Sequence, residues 1–426
     1  MKKYPKYKDT YFLENEEIPE HWSTRSLGSI STQKSVTNNT GKELLSVFLD
    51  RGVIKFDDDH SKRTNGTSKD LSKYQLVEVG DFVLNNQQAW RGSVGVSSYE
   101  GIVSPAYIVL SLSKELNSSY ANYLLRSPLC ISQYAVNSKG VGSIQRNLYW
   151  DKLKLCKIPL PPYQEQVAIV TYLNKKNIQI DKLIFEAKKE INLLNELKQA
   201  EIAHMVTCGL NPNAPMKDSG IAWIGKIPAH WQITHLRKYL KLLSDKGHGE
   251  ERLLSVTREQ GVIVRNVESK EENHNFVPDD LNGYKLVNKG QFAINKMKSW
   301  QGSYGVSPYR GIVSPAYYVC DLKFDNKEYF NIAIRSKAYI PFFTQYSKGI
   351  RVDQWDLSPI ALKQIPFIEP PKEEQEQIVK AIKNSNSKIE KLTAQLAKQI
   401  SYLQELKQRV ISDAVTGKID VRNYNN

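Results

Sequence analysis

The sequence predicts an α+β fold: two similar α+β domains separated by a long antiparallel two-helix coiled coil, with a pseudo-two-fold internal repeat. Three observations predict it. Near-identical segments recur 210 residues apart, short β-rich runs alternate with Gly and Pro turns, and two stretches free of Gly and Pro carry an apolar stripe. The predicted domains are 1–160 and 211–370, and the predicted helical regions are 161–210 and 371–426.

The repeat organises the whole chain. "WRGSVGVSSYEGIVSPAY" (90–107) returns as "WQGSYGVSPYRGIVSPAY" (300–317) with four differences. "IPEHW" (18–22) returns as "IPAHW" (227–231), and "IPLPPYQEQ" (158–166) as "IPFIEPPKEEQEQ" (365–377). The order is the same in both halves, which indicates two copies of one large unit. Residues shared by both copies are expected to hold the fold, including Trp90 and Trp300, Gly92 and Gly302, Gly95 and Gly305, Pro105 and Pro315, and Tyr107 and Tyr317.

The regions after the proline pairs are predicted to be helices of about 40 residues, or about 60 Å at ~1.5 Å per residue. Apolar residues recur there at spacings that place them on one face of a helix. They are Ile180, Leu183, Ala187, Leu194 and Leu197 in the first region, and Ile389, Leu392, Leu396, Leu403 and Leu406 in the second. Gly209 and Gly417 are typical of C-terminal caps. Each helix packing on its own domain is the alternative. The matching stripes favour a mutual pair, and a pseudo-two-fold axis would make that pair antiparallel.

The composition points to a polyanionic partner. The net charge is +14, and such an excess faces solvent, nucleic acid or an anionic membrane, or serves solubility alone. Four cysteines without a CxxC pair fit neither a disulfide framework nor a zinc site, which indicates a reducing, cytoplasmic location. The N-terminus has no apolar signal region, and no run of 18 apolar residues occurs, so we expect no membrane span.

Motifs for catalysis are absent from the sequence. "LPPY" (160–163) resembles the (N/D)PP(Y/F) motif of amino-methyltransferases, but Leu160 cannot accept a hydrogen bond from a target amino group. There is no GxGxxG after a strand, no GxxxxGK[ST] and no HExxH. "DDDH" (57–60) has metal-ligating residue types but no counterpart in the second copy, which favours a solvated loop. We expect no catalytic and no metal site in this chain.

Two loops diverge within the shared framework and are predicted to bind DNA. The first loop precedes and includes the shared tryptophan, and the second follows the shared "SKG". Asn and Gln suit adenine edges, whereas Arg and Lys suit guanine edges and phosphates. Ordinary variable surface loops are the alternative. The candidates are Asn85, Asn86, Gln87, Gln88, Arg91, Lys139 and Arg146 in the first copy, and Asn295, Lys296, Lys298, Gln301, Lys348 and Arg351 in the second.

With its paired "IPxHW" and "GIVSPAY" segments, its "LPPYQEQ" and "PPKEEQEQ" junctions and the helices that follow, the chain resembles the specificity (S) subunits of type I restriction–modification systems. The resemblance implies that 1–160 and 211–370 are target-recognition domains and that the helices are conserved regions. It implies a non-catalytic subunit that reads a bipartite site in double-stranded DNA, with one domain per half-site and a helical ruler that sets the spacer.

The resemblance also implies partners and their cofactors. Two modification subunits would bring S-adenosylmethionine and the adenine-N6 methyltransferase site, and restriction subunits would bring ATP and Mg. No cofactor is expected in this chain. Two other functions stay open from the residues alone: a non-enzymatic coiled-coil scaffold that binds proteins, and a protein that uses its basic charge at a membrane surface.

Overall fold

The computed structural model describes residues 2–10, 17–58, 70–141, 145–266, 278–349 and 355–424. The chain divides into two compact units. The first comprises residues 1–187 and 398–426, and the second comprises residues 188–397. Each unit therefore contains one globular part and segments of both long helices.

The first unit holds these strands: β1 (Tyr7–Asp9), β2 (Glu17–Pro19), β3 (Ser23–Ser26), β4 (Ser31–Lys34), β5 (Leu45–Phe48), β6 (Gly52–Lys55), β7 (Gln75–Val77), β8 (Phe82–Asn85), β9 (Val94–Val96), β10 (Gly101–Val103), β11 (Tyr107–Leu112), β12 (Lys139–Val141), β13 (Gln145–Asn147) and β14 (Lys157–Leu160). Its helices are α1 (Leu27–Ile30), α2 (Ser118–Leu125), α3 (Pro128–Asn137), α4 (Trp150–Leu153) and the start of α5 (Tyr163–Cys208). Short 3₁₀ turns lie at Phe56–Asp58 and Ala89–Arg91.

The second unit repeats this order with β15 (Met216–Asp218), β16 (Lys226–Pro228), β17 (Gln232–His235), β18 (Leu240–Leu243), β19 (Leu254–Thr257), β20 (Gly261–Val264), β21 (Lys285–Val287), β22 (Phe292–Ile294), β23 (Tyr304–Val306), β24 (Gly311–Val313), β25 (Tyr318–Leu322), β26 (Ser347–Lys348), β27 (Asp356–Leu357) and β28 (Pro366–Glu369). Its helices are α6 (Lys327–Arg335), α7 (Ile340–Tyr346), α8 (Pro359–Gln364) and the start of α9 (Lys372–Val415), with 3₁₀ turns at Leu236–Lys238 and Ser299–Gln301.

The sheet in each unit has the same topology, which confirms the predicted α+β class and the internal repeat. In the first unit the order is β4-β11-β8-β9, and in the second it is β18-β25-β22-β23, all antiparallel. The central strand β11 is apolar on both faces because each face meets a different core. Ile108 and Leu110 lie in the larger cluster with the α-helices, whereas Val109 lies in a smaller cluster with β5, β6 and β7.

The shared glycines of the repeated segment are explained by close packing. A Cβ atom on Gly101 would lie 2.5 Å from the backbone oxygen of Glu43, and one on Gly311 would lie 2.5 Å from that of Arg252. No side chain fits at either place. Gly92 has φ +101° and therefore closes the 3₁₀ turn after the tryptophan in a conformation that other residues avoid. These glycines act on the fold, as predicted.

The "IPxHW" and "PPxxEQ" motifs recur together because they contact each other. In the second unit, Trp231 Nε1 donates to Glu374 Oε2 at 2.9 Å, and His230 Nε2 lies 2.5 Å from Glu374 Oε1. In the first unit, His21 Nε2 lies 2.8 Å from the buried Glu165. This carboxylate, in the first turn of the long helix, ties the helix start to the globular part.

The long helices are paired antiparallel within each unit. In the first unit Lys407 of α9 binds Asp181 of α5 at 2.7 Å, and Tyr172 of α5 contacts Tyr424, which follows α9. In the second unit Lys198 binds Glu390 at 2.8 Å. The helices are 46 and 44 residues long. The predicted caps are confirmed: Gly209 has φ +76° and Gly417 has φ +77°.

At several places, the residue that is buried between the two long helices is a sequence neighbour of the predicted one. Ile180, Ala187 and Ile389 are buried as predicted. Leu183 and Leu197 are 46% and 47% exposed, while Ile184 and Ile191 are more buried. Residues three and four positions apart both lie on the same face of a helix. The apolar stripe alone therefore does not decide which of two neighbouring residues is buried. The first turns of α5 and the last turns of α9 also pack in the hydrophobic core of the first unit. Their core residues include Ile169, Tyr172, Ala414 and Val415.

Candidate nucleic-acid interface

The first loop is built identically in both units and carries different side chains. After β8, the amide of Gln88 donates to Asn85 O at 3.0 Å, and the chain then enters the 3₁₀ turn. After β22, the amide of Lys298 donates to Asn295 O at the same distance. The backbone is therefore a constant frame, and the side chains between its ends are free to differ.

The second loop lies against the first. It is a hairpin in the first unit, where β12 pairs with β13 and Lys139 stands opposite Asn147. In the second unit Lys348 stands opposite Asp356. The residue that follows Asn147 or Asp356 donates its backbone amide to the first loop. In the first unit this bond runs from Leu148 N to Asn86 O at 3.0 Å. The second unit has the same bond, from Leu357 N to Lys296 O at 3.2 Å.

This register gives the equivalent residues of the two second loops. Asn147 corresponds to Asp356, and Arg146 therefore corresponds to Trp355. In the first unit, the guanidinium of Arg146 lies 5.2 Å from the ring centre of Trp90, and that of Arg91 lies 4.8 Å from it. The Trp90 indole thus carries two cations at its surface, an arrangement that is attractive for both. Trp90 Nε1 donates to Gln87 O at 3.1 Å, which fixes the ring on the loop.

The second unit replaces this cationic surface with an aromatic one. Trp355 packs edge-on against Trp300 with ring centres 5.5 Å apart. Both rings are partly exposed. The two units therefore present different chemistry at one position of the same frame: two guanidinium groups in the first and a second indole in the second.

A second contrast lies where the loops meet. In the first unit, Asn86 and Asn147 face this junction, and the buried Oδ1 atoms of both have no hydrogen-bond partner among the described residues. In the second unit, Lys296 Nζ binds Asp356 Oδ2 at 2.8 Å, and this bond raises the pKa of Lys296. Asp356 Oδ1 is buried, again with no partner in the part of the chain that the structure describes. An amide pair thus stands where the other unit has an ion pair.

A groove of about 500 Å³ opens beside Asn86 in the first unit. Its lining combines polar and aromatic residues with one lysine and one aspartate. Residues that line it include Gln33, Thr37, Lys73, Gln75, Asn86, Tyr107, Tyr149, Trp150 and Asp151. The amide and hydroxyl groups among them can both donate and accept hydrogen bonds.

The predicted DNA-binding residues lie in different environments. Gln87, Arg91, Lys139 and Arg146 are exposed, as are Lys298 and Lys348, while Asn85, Asn86, Gln88, Lys296 and Gln301 are half-buried. Asn295 is buried, and its Nδ2 donates to Tyr317 OH at 3.1 Å, so its side chain holds the strand end. Arg351 lies outside the described residues. The structure brings the two loops of each unit together. A DNA contact by any of these residues stays a prediction.

Four residues of this surface were not among the sequence candidates: Asn147, Tyr149, Trp355 and Asp356. Asn147 and Tyr149 lie one and three residues beyond Arg146, and Trp355 and Asp356 lie four and five residues beyond Arg351. Ungapped alignment of the two copies from "SKG" onward is the signal that would have paired them, because Lys139 and Asn147 are as far apart in sequence as Lys348 and Asp356.

Neither a metal site nor a membrane-spanning helix is found in the part of the chain that the structure describes. No group of three or more metal-ligating His, Cys, Asp or Glu residues comes together there. Asp57 and Asp58 of the "DDDH" segment lie in a 3₁₀ turn, and residues 59 and 60 are not described. None of the described helices combines the length and apolarity that a bilayer span needs.

Comparison with known proteins relates this architecture to a family. Residues 19–195 match the type I restriction modification DNA specificity domain. A protein of Methanocaldococcus jannaschii named as the type I restriction enzyme MjaX specificity subunit is 25% identical, over 98% of this chain and 98% of its own length. The MjaVIII specificity subunit of the same organism is 23% identical over the same shares. Residues 19–195 thus carry a type I restriction modification DNA specificity domain, and nearly the whole chain is similar to type I specificity subunits. The resemblance expected from the sequence, and with it a DNA-specificity role in place of catalysis, is confirmed.

The fold of this chain is also found among solved structures. A chain from a structure that concerns complex assembly and conformational transition of the type I R-M system superimposes with a TM-score of 0.63. It is 14% identical, and the match covers 95% of this chain and 100% of that one. At this identity the likeness concerns the fold, and it agrees with two α+β domains and a coiled coil.

Proposed function

We propose that each unit of this chain reads one half of a bipartite site in double-stranded DNA. The observation that carries the proposal is the contrast within a constant frame: Trp90 with Arg91 and Arg146 in one unit, and Trp300 with Trp355 in the other. Two different reading surfaces on the same scaffold suit two different half-sites. A scaffold that bound one kind of protein twice would have no need of this difference.

The charge of the chain supplies the sequence-independent part of binding. A net charge of +14 favours association with phosphates and makes the affinity fall as salt rises. Exposed Arg91, Lys139 and Arg146 in the first unit, and Lys298 and Lys348 in the second, lie on or beside the reading loops. They are placed to hold phosphates or base edges while the half-buried amides between them select bases.

The antiparallel helices are proposed to set the spacer. Each unit contributes a segment of both helices, and ion pairs within each unit fix their register, at Asp181 with Lys407 and at Lys198 with Glu390. A continuous helix of 46 residues has a length of about 70 Å at ~1.5 Å per residue. Such a rigid element holds a constant number of base pairs between the half-sites.

The proposed assembly is a cytoplasmic complex with two modification subunits and with restriction subunits. S-adenosylmethionine would be held by the modification subunits, and ATP and Mg by the restriction subunits. The similarity to type I specificity subunits supports partners of these kinds, and the four free cysteines fit a reducing compartment. The subunit itself would supply the recognition of the DNA sequence.

Sequencing of N6-methyladenine in a host that carries this chain and its partners tests the proposal. The expected methylated motif has two short fixed half-sites separated by a spacer of constant length and random sequence. A methylation pattern that is the same with and without this chain would contradict the proposal and would favour a scaffold role. A single uninterrupted motif would contradict reading by two units.

A further inference from the structure

Three polar residues that line the groove of the first unit correspond to three lysines in the second unit. Backbone bonds give the equivalences. Asn38 N donates to Ser72 O as Gly247 N donates to Asn282 O, so Thr37 corresponds to Lys246, each being the residue just before the donor.

The other equivalences follow from strand register. Gln75 pairs with Val103 as Lys285 pairs with Val313. The backbone bond between the loops then equates Asn86 with Lys296. Three neutral hydrogen-bonding residues in one unit thus become three lysines in the other.

Buried Gln75 and half-buried Lys285 perform the same structural task in their units. Gln75 Nε2 donates to Tyr107 O at 2.5 Å, and Lys285 Nζ donates to Tyr317 O at 2.7 Å. The fold therefore accepts either residue. What differs is the chemistry offered to a ligand, because an amide both donates and accepts whereas an ammonium only donates.

Leu286 N donates to Asp245 O at 2.8 Å, so Lys246 and Lys285 follow and precede two residues that are in contact. Burial, and then the charges of Lys246 and Lys296, lower the pKa of Lys285. Within the cluster, Asp356 pairs with Lys296. An acceptor-rich ligand would relieve the remaining repulsion. Asp356 Oδ1, which has no hydrogen-bond partner among the described residues, would in turn accept from a donor beside that ligand.

A G·C pair has this combination at its major-groove edge. Guanine presents the acceptors O6 and N7, which suit lysine, and cytosine presents the N4 amino donor, which suits aspartate. An A·T pair suits the first unit instead. Adenine presents an N6 donor and an N7 acceptor, which match an amide, and the buried Asn86 Oδ1 has no partner among the described residues and accepts such a donor.

We infer that the groove of the first unit, with Thr37, Gln75, Asn86 and the adjoining Asn147, selects an A·T pair, and that Lys246, Lys285, Lys296 and Asp356 select a G·C pair at the corresponding position of the other half-site. The inference rests on the proposed function and adds to it the base preference of each half and the residues that determine it.

A transplant between the units tests this inference. The first unit receives the residues of the second, as Thr37→Lys, Gln75→Lys, Asn86→Lys and Asn147→Asp. The full chain, assembled with its modification subunits, selects binders from duplexes randomised in both half-sites. One position of the first half-site is expected to change from A·T to G·C, with a preference of roughly 5- to 150-fold. The second half-site is expected to stay as it is.

Two further variants make the result decisive. The reverse transplant, Lys246→Thr, Lys285→Gln, Lys296→Asn and Asp356→Asn, is expected to change one G·C position of the second half-site to A·T, and it decides the matter if the first variant is unstable. A charge-matched control, Ser119→Lys with Thr171→Lys, adds the same net charge at exposed positions outside the groove. It is expected to leave both half-sites unchanged.

The outcomes separate this inference from the proposed function. Transplants that raise affinity and salt dependence while both half-sites keep their bases would mean that the lysines contact phosphates, and would overturn the inference alone. A wild-type chain that selects no bipartite motif would overturn the proposed function, and the inference with it.

Discussion

The ammonium of Lys296 lies 2.8 Å from the carboxylate of Asp356, and this ion pair joins the two candidate DNA-binding loops of the second unit. Asn86 and Asn147 take the same two places in the first unit. The backbone bond that connects the loops is the same in both units, so the exchange alters the surface and leaves the frame intact. Substitutions can therefore perturb the frame and the surface separately.

The frame is expected to fail where a shared glycine is filled. In Gly101→Ala, the new methyl group would overlap the backbone oxygen of Glu43, which cannot move without disturbing β5. We expect a loss of about 1–3 kcal/mol in the free energy of unfolding. Gly41→Ala is the control, because nothing lies within 4 Å of a Cβ atom there. Urea unfolding of both variants measures the difference, and equal losses would contradict the packing described.

The junction between the globular part and the long helix is expected to depend on Glu374. Removal of this carboxylate in Glu374→Ala leaves the indole N–H of the buried Trp231 without its acceptor and His230 without its partner. An unsatisfied buried donor costs about 1–3 kcal/mol. Glu376→Ala changes an exposed carboxylate on the same turn and is expected to cost less than about 0.5 kcal/mol. If thermal or urea unfolding ranks the two variants equally, the junction does not depend on this contact.

Arg146 is expected to supply a phosphate contact from the surface of Trp90. The second unit has Trp355 at the same position, so Arg146→Trp should fold. Loss of one cation at the interface should lower the slope of log affinity against log salt by about 1. Lys182→Ala, on the long helix, removes a charge outside the loops and is the control. A slope that falls equally in both variants would show that only the total charge matters.

The architecture could largely be predicted because the chain contains two copies of one unit, which can be compared with each other. The repeat, the glycine caps and the two long helices each have a local signature in the sequence. The choice between Leu183 and Ile184 for the helix seam has none, because both lie within one helical step of Ile180 and only the opposing helix decides which is covered. The partnership of Lys296 with Asp356 also depends on strand register across 60 residues. Such a contact between residues distant in sequence can be identified only from the folded structure.

The helix pair is expected to act as a ruler. One heptad inserted after Leu194 and another after Thr393, both close in sequence to the Lys198–Glu390 ion pair, keeps the seam in phase. Seven residues add about 10 Å, or about three base pairs at ~3.4 Å each. Three base pairs also turn the far half-site by roughly a third of a helical turn, given ~10.5 base pairs per turn, so affinity should fall. The measurement is the spacer length in the methylated motif, and an unchanged spacer at full efficiency would assign the ruler to the partner subunits.

The most direct test of reading by two separate units is a double substitution in one loop. Gln87 and Gln88 belong to the first unit, where Gln87 is exposed, and the second unit has Met297 and Lys298 at these places. In the variant Gln87→Ala with Gln88→Ala, each lost bidentate contact would cost about 1–3 kcal/mol of base discrimination. Selection from randomised duplexes is expected to give a degenerate first half-site and an unchanged second half-site. Equal loss of sequence preference in both half-sites, or in neither, would contradict the account.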